Sequence, residues 1–140
     1  MGKVYINTSV IIALVDVKDP KHGVVLRALN RLRRLGYKLI TSNVLLEEPL
    51  RNPGKVLKVL GRHSVKVVSV DLKHYYIVAE EERSRLRLSE SRFYDLMHVI
   101  VAKDLGVDIF LTADRKQRGI AVRKGLLVCH PVEVVEGRCP

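Results

Sequence analysis

The segment FYDLMHVIVAKDLGVDIFLTAD, residues 93–114, contains the pattern that decides the fold. Its first part, Phe93–Leu105, is strongly apolar and long enough for a helix, which Gly106 is expected to end. Asp108–Thr112 follows as a short apolar run that is typical of a buried strand. An apolar helix that leads directly into a buried strand is the unit from which parallel α/β sheets are built.

The same alternation extends over the whole chain. Further strands are predicted at Lys3–Ile6, Tyr37–Thr41, Val65–Val70 and Leu126–Cys129. Helices are predicted over Val10–Val15, from Asp19-Pro20 to Gly36, from Ser42 through Leu50, over Lys55–Leu60, and from the cap Asp71 to about Leu86. The sequence therefore predicts a three-layer α/β/α sandwich with a mostly parallel central sheet, formed by one domain that spans residues 1–140.

Composition favours a packed domain with an anionic partner. Apolar residues make up 47% of the chain, which favours a folded core over disorder. The formal charge is +10, from 25 Lys and Arg against 15 Asp and Glu, and RNA is the leading candidate for a polyanionic partner. A heat-adapted, charge-rich surface explains the same balance equally well. With no Trp and only two Phe, the stacking of bases on aromatic rings is not expected to be the main binding device.

The cysteines and the apolar runs bear on the cellular location. Cys129 and Cys139 have no CxxC partner and no histidine at zinc-finger spacing, so two free thiols in a reducing cytoplasm are expected. No apolar run reaches the roughly 20 residues that span a bilayer. The chain runs from its first residues into a predicted strand, without the pattern of a signal peptide. We therefore expect a cytoplasmic protein that does not interact with membranes.

Polar side chains follow the predicted strands at the edge where α/β sheets bind ligands. Asn7 follows the first strand, Glu47 lies one turn beyond the second, and Asp114 follows the fourth. Ligands of parallel sheets bind beyond the carboxyl ends of the strands, so these residues are expected to line one cleft. Asp95 lies in an otherwise apolar helix, where an ionised carboxylate needs a partner, a metal or an open cleft.

Four segments, in this order, resemble the PIN-domain family, and especially its VapC-type toxin ribonucleases. They are Asn7-Thr8-Ser9 after the first strand, TSxxxxE from Thr41 to Glu47, YDxxH from Tyr94 to His98, and LTAD ending at Asp114. The resemblance covers essentially the whole chain. It implies a PIN-like sandwich in which four acidic positions bind divalent metal and cleave RNA.

Carried over residue by residue, the second, third and fourth acids of the family fall on Glu47, Asp95 and Asp114. The first falls on Asn7, which keeps a ligating oxygen but has no charge. The supporting hydroxyl positions of the family fall on Thr8 or Ser9 and on Thr112. A further acid often follows the last one by two residues in this family, and that position is Lys116 here. Both departures remove negative charge from the cleft.

Two choices along these segments stay open. Glu48 competes with Glu47 for the second acidic position, and the spacing from Thr41-Ser42 favours Glu47. His98, one helical turn after Asp95, either packs in the core or contacts the cleft. Basic side chains also follow the last acid directly, and at least one of them is expected to contact an RNA phosphate; they are Arg115, Lys116 and Arg118.

The resemblance implies Mg²⁺ or Mn²⁺ as the cofactor, because these hard ions prefer oxygen ligands. It also implies an RNA substrate, an antitoxin protein as partner, and a homodimer. The leading hypothesis is a toxin-type endoribonuclease whose activity is reduced because Asn7 replaces an acid. The alternative is a degenerate PIN domain that binds RNA or a protein without cleaving. A nucleotide-binding Rossmann-type protein is disfavoured, because no glycine-rich phosphate loop follows a strand.

Overall fold

The computed structural model describes residues 2–139, and within them five strands form one parallel sheet. The strands are β1 (Lys3–Ile6), β2 (Lys38–Ser42), β3 (Val65–Val68), β4 (Ile109–Leu111) and β5 (Val128–Cys129). Their order is β3-β2-β1-β4-β5, and each neighbouring pair is parallel. The predicted parallel sheet is confirmed, with strand ends that differ from the predicted ones by up to two residues.

Helices cover both faces of the sheet. They are α1 (Thr8–Val15), α2 (His22–Arg34), α3 (Pro53–Arg62), α4 (Leu72–Arg85), α5 (Phe93–Asp104), α6 (Arg115–Arg123) and α7 (Pro131–Val135). Helices α1, α2, α3 and α7 bury their apolar side chains on one face, and α4, α5 and α6 bury theirs on the other. The predicted three-layer α/β/α architecture is therefore confirmed.

The alternation of side chains along β1 explains why two layers of helices form. Val4 and Ile6 point into the core that contains α1 and α2, whereas Tyr5 points into the core that contains α5. All three are fully buried, as expected for a central strand of a parallel sheet. Tyr5 also stacks on Phe110 of β4, with ring centroids 5.5 Å apart. The central strand thus fixes the positions of both layers.

Two predicted helices differ in the structure. The helix predicted from Ser42 through Leu50 is wrong: a short 3₁₀ helix, Asn43–Glu47, occupies this segment instead. Pro49 explains the difference, because a proline disfavours helical backbone at the preceding residue, and Glu48 is extended. The helix predicted from Asp19-Pro20 begins only at His22, because the Asp19 side chain accepts the Lys21 amide at 2.8 Å and closes a turn.

The C-terminal part contains two helices that the sequence analysis did not predict, α6 and α7. Helix α7 starts with Pro131 and has a capping box, in which the His130 ring accepts from the backbone and Glu133 accepts the His130 amide. The expectation of free thiols is wrong as well. Cys129 and Cys139 form a disulfide across α7, with Cα atoms 6.0 Å apart.

The amino ends of the parallel strands lie along one edge of the sheet and their carboxyl ends along the opposite edge, and these two edges contain different features. Glycines with positive φ end helices at the edge where the chain enters β2 and β4: Gly36 at 92° and Gly106 at 67°. The opposite edge contains the carboxyl ends of the strands, and strand order reverses there between β1 and β4. The polar residues of the predicted cleft follow the strands at this second edge. No helix within residues 2–139 is long and apolar enough to cross a membrane.

Candidate functional site

Asn7 lies at the centre of the polar cluster at the carboxyl edge. It occupies the N-cap position of α1 directly after β1, and only 3% of its surface is exposed. Its Nδ2 donates to Ser9 Oγ and to Thr112 Oγ1, each at 3.1 Å. Its Oδ1 is buried and has no hydrogen-bond partner among residues 2–139. An orphaned buried oxygen is costly, so this atom marks a position where a ligand would be stabilised.

Thr112 joins Asn7 to the loop that follows β4. Besides the bond from Asn7, its hydroxyl accepts the Asp114 amide at 3.1 Å. Ser9 reinforces the same junction, because its hydroxyl accepts the Ala113 amide at 3.0 Å. The structure therefore brings Ser9 and Thr112, both predicted supporting hydroxyls, together around the side-chain amide of Asn7.

Gln117 is a polar residue of this cluster that the sequence analysis missed. It is fully buried in the first turn of α6, and its Nε2 donates to the backbone carbonyl of Asp95 at 3.2 Å. Its Oε1 accepts from the Thr112 hydroxyl at 3.5 Å. Gln117 thus holds α6 against α5 and fixes the separation of the two segments that contain Asp95 and Asp114. Its position three residues after Asp114 was the available signal.

Asp95 and Asp114 approach each other from α5 and from the start of α6. Asp114 is the N-cap of α6, and its Oδ1 accepts the amides of Lys116 and Gln117. Its second oxygen, Oδ2, is left for the cleft. Asp95 is half-buried in the first turn of α5, and burial raises the pKa of its carboxyl group. The guanidinium of Arg92 lowers that pKa and the charge of Asp114 raises it, with burial the larger effect.

Arg92 is a second residue that the sequence analysis missed. Its Nη1 lies 2.7 Å from Asp95 Oδ2 and 3.9 Å from Asp114 Oδ2. The spacing of three residues between Arg92 and Asp95 was its signal, because side chains at that spacing meet on one helical face. A basic side chain thus lies between the two carboxylates for which a metal site was predicted.

Of the two neighbouring glutamates, Glu48 is the one that lies at the polar cluster. Its Oε2 accepts from the Thr8 hydroxyl and lies 2.9 Å from His98 Nε2. Glu47 is exposed, and its Oε1 accepts from Tyr76 on α4 at 3.3 Å. The structure therefore places Glu48 rather than Glu47 beside the residues that follow β1.

His98 is fully buried and belongs to a chain of side chains that reaches Glu48. Tyr5 Oη lies 2.7 Å from His98 Nδ1 and 2.7 Å from Ser42 Oγ. One arrangement gives every proton an acceptor: Ser42 donates to Tyr5, Tyr5 to His98 Nδ1, and His98 Nε2–H to Glu48. Burial raises the pKa of Tyr5, so its hydroxyl keeps the proton that it donates. These contacts fix the rotamer of Glu48 from the core outwards.

The predicted phosphate contacts differ in how available they are. Arg115 and Lys116 are exposed at the start of α6. Arg118 instead forms a two-point ion pair with Glu133 of α7, at 2.7 and 3.3 Å. Arg115 and Arg118 also line a cavity of about 490 Å³ between α6 and α7, next to Asp114. Arg115 and Lys116 are therefore the cations that could meet an anion without first breaking an ion pair.

The oxygen ligands suit a hard divalent ion, although the acids do not form a dense cluster. Within residues 2–139, no group of three Asp, Glu, His or Cys side chains is arranged to hold a metal. Asn7 Oδ1, Asp95 and Asp114 nevertheless supply one amide oxygen and two carboxylates at the same edge of the sheet. Mg²⁺ is commonly held by one or two carboxylates together with water and substrate phosphate, so these three residues fit such an ion.

The chain was compared with protein-family models, with curated proteins and with solved structures. The family model described as PIN domain matches residues 4–123. Among solved structures, the chain is similar to VapC20 of Mycobacterium tuberculosis, which is described as a sarcin–ricin loop cleaving toxin. That similarity has a TM-score of 0.63 at 22% identity, and it covers 83% of this chain and 93% of the other. None of the curated proteins matches the chain.

Proposed function

The chain belongs to the PIN-domain family, and on this premise we propose that it is a divalent-metal-dependent endoribonuclease of the toxin type. The observation that carries the proposal is the buried, unpaired Oδ1 of Asn7, at the edge of the sheet where α5 begins with Asp95 in its first turn and α6 begins at its cap Asp114. An oxygen without a partner in a polar cluster is expected where a ligand belongs, because its desolvation is otherwise uncompensated.

Asn7, Asp95 and Asp114 would hold Mg²⁺ or Mn²⁺ in this proposal. The ion, when bound, supplies an activated water and stabilises charge on the phosphate. Ser9, Thr112 and Gln117 keep the three ligands in register through the hydrogen bonds described above. Because Asn7 has no charge, we expect the affinity for metal and the rate of cleavage to be lower than with an acid at this position.

Glu48 has a separate role in the proposed site. Its carboxylate is oriented by Thr8 and His98, and it can accept a proton from a water or help to position one. Glu47, which the sequence spacing favoured as the second acid of the metal site, stays a prediction for that position, and its exposure and its bond to Tyr76 do not support it. The two glutamates can be separated by substitution, as set out in the Discussion.

RNA is the proposed substrate, and the formal charge of +10 supports an anionic ligand. We propose Arg115 and Lys116 as the first contacts with RNA phosphates, and Arg118 as a contact only after it leaves Glu133. The similarity to a structure described as a toxin supports two further proposals for this chain, a protein antitoxin as partner and a cytoplasmic location. We also propose a homodimer, which rests on the resemblance of the sequence to the family alone. We also propose that residues 1–140 form a single domain.

RNA cleavage in the presence of Mn²⁺, compared between the wild type and Asp95→Ala, tests the proposed activity. We expect metal-dependent cleavage that is lost in the variant and absent when EDTA replaces Mn²⁺. Cleavage that persists in the variant would contradict the assigned site. RNA that is retained by both proteins without being cut would favour the alternative, a degenerate PIN domain that binds but does not cleave. Two residues support that alternative, because both reduce the negative charge of the cleft: Asn7 has no charge, and Arg92 is positively charged and lies beside Asp95 and Asp114.

A further inference from the structure

The guanidinium of Arg92 lies where the negative charges of the cleft meet. Arg92 is the last residue of a short 3₁₀ helix, Glu90–Arg92, that leads directly into α5. A single nitrogen, Nη1, is 2.7 Å from Asp95 Oδ2 and 3.9 Å from Asp114 Oδ2. The side chains of Arg92 and Asp95 are 22% and 20% exposed, so this contact is partly shielded from water.

This contact differs from the ordinary ion pairs of the molecule. Arg85 also meets an acid three residues away, Glu82, at 2.7 Å, but that pair stays on one helix and its arginine is 69% exposed. Arg92 instead reaches from the start of α5 to the N-cap of α6, and so it contacts two acids from separate segments. Exposed pairs within one helix contribute little, whereas a cation shared by two converging carboxylates offsets their mutual repulsion.

We infer that Arg92 is a resident counter-ion of the acid pair and competes with the divalent cation for Asp95 and Asp114. The inference rests on the proposed function and specifies how that site is regulated. Without metal, Arg92 neutralises part of the charge that would otherwise destabilise the cleft. For a metal to bind, Arg92 must leave Asp95 Oδ2, and the affinity for the metal is lowered by the interaction that is lost. Residues 89–91 beside it are exposed, so the side chain has room to turn away.

The competition is tested by titrating Mn²⁺ into the full chain in a calorimeter. The proteins are the wild type, Arg92→Gln and Arg85→Gln, the last being a matched control for loss of an arginine in a three-residue ion pair. We expect Arg92→Gln to bind Mn²⁺ about tenfold more tightly than the wild type, since a charged hydrogen bond no longer has to be broken. Arg85→Gln should stay within about twofold of the wild type, as expected for an exposed pair.

A second measurement does not depend on calorimetric heats. Saturating Mn²⁺ should raise the melting temperature of Arg92→Gln more than that of the wild type, because the tighter complex shifts unfolding further. If Arg92→Gln does not melt cooperatively, Arg92→Lys takes its place in both measurements. Lysine keeps the charge, but its ammonium group is more strongly hydrated and is carried on a flexible stem, so it should hold the two acids less firmly than Arg92 does. The affinity of Arg92→Lys for Mn²⁺ should therefore still exceed that of the wild type.

The outcomes separate this inference from the proposed function. Equal or weaker Mn²⁺ binding by Arg92→Gln, or by Arg92→Lys where it is used, would overturn the competition and leave the metal site in place. Binding by the variant alone supports the competition in its strongest form. If neither the wild type nor an Arg92 variant binds Mn²⁺, the metal requirement of the proposed function is refuted, and the competition is refuted with it.

Discussion

Glu48 Oε2 lies 2.9 Å from the Nε2 of the fully buried His98, which joins the segment after β2 to the middle of α5. This contact places Glu48 at the polar cluster, although the spacing along the sequence favoured the adjacent Glu47 for the second acidic position. It also connects the cleft to Tyr5 in the central strand, so the orientation of an acid at the surface depends on the packing of the core.

The first prediction concerns this pair of glutamates. Glu48→Gln should abolish most RNA cleavage and lower the free energy of unfolding by about 1–3 kcal/mol, because Thr8 and His98 lose a charged acceptor. Glu47→Gln is the matched control and should change unfolding by less than about 0.5 kcal/mol, as expected at an exposed position. Urea unfolding and an RNA cleavage assay on both variants decide this, and equal effects of the two substitutions would contradict the assignment.

The second prediction concerns Asn7. Asn7→Asp adds a charge beside the unpaired oxygen and should strengthen Mn²⁺ binding by tenfold or more. For scale, two unit charges about 4 Å apart interact by about 4 kcal/mol at an effective dielectric near 20, before any cost of desolvation. RNA cleavage should become faster in the same variant. Asn30→Asp, at an exposed position on α2, is the control for added charge and should leave both quantities unchanged. Unaltered affinity and rate in Asn7→Asp would refute the role of this position.

The third prediction concerns the dependence of stability on pH. Burial and the charges of Lys21 and Arg118 lower the pKa of His130, with Glu133 acting in the opposite direction. The unfolded chain therefore binds a proton at this residue more readily than the folded chain does. The contribution of His130 to the free energy of unfolding is therefore fully present at pH values above the pKa of this residue in the unfolded chain, about 6.5. It is lost as the pH falls below that value.

Substitution of His130 by asparagine isolates this effect, because asparagine also caps helices but does not titrate. We expect the loss of unfolding free energy between pH 7 and pH 5 to be smaller in His130→Asn than in the wild type. Denaturant unfolding at the two pH values measures this difference. An identical loss in both proteins would show that His130 does not contribute to the pH dependence.

The fourth prediction concerns the disulfide between Cys129 and Cys139, which closes a loop around α7. Cleavage by a thiol reductant should lower the free energy of unfolding by about 2–3 kcal/mol, as expected for a loop of this length. The variant in which both cysteines are replaced by serine should show the lower stability from the outset and no response to reductant. A wild type whose melting temperature ignores the reductant would contradict the prediction.

Short-range patterns predicted most of the fold. The apolar runs of β1 and β4 and the glycine after α5 predicted alternating strands and helices, and hence a mostly parallel sheet, because buried strands and helix stops are local signals. The rule that ligands bind beyond the carboxyl ends of the strands predicted that Asn7, Glu47 and Asp114 share one cleft. Asn7 and Asp114 are indeed joined through Thr112, whereas Glu47 is exposed and contacts Tyr76 instead. These features could be predicted because each depends on a few neighbouring residues.

The choice between Glu47 and Glu48 could not be made from the sequence, because the direction in which each side chain points depends on the type of helix that forms in this segment. A 3₁₀ helix turns about 120° per residue and an α-helix about 100°, so over five residues the two differ by about one position. Pro49 was the local sign that an α-helix would not continue through this segment. The disulfide is of a different kind, because the approach of Cys139 to Cys129 depends on how α7 packs against the rest of the domain.

The two edges of the sheet have unequal value to anyone who modifies this protein. The side chains proposed to bind metal lie at one edge, where Asn7 follows β1 and Asp114 follows β4, whereas Gly36 and Gly106 end helices at the other. A short peptide inserted after Gly106 would emerge on the far side of the molecule from Asn7 and Asp114. A fluorophore or an affinity handle placed there would label or immobilise the chain without blocking the access of RNA to the cleft.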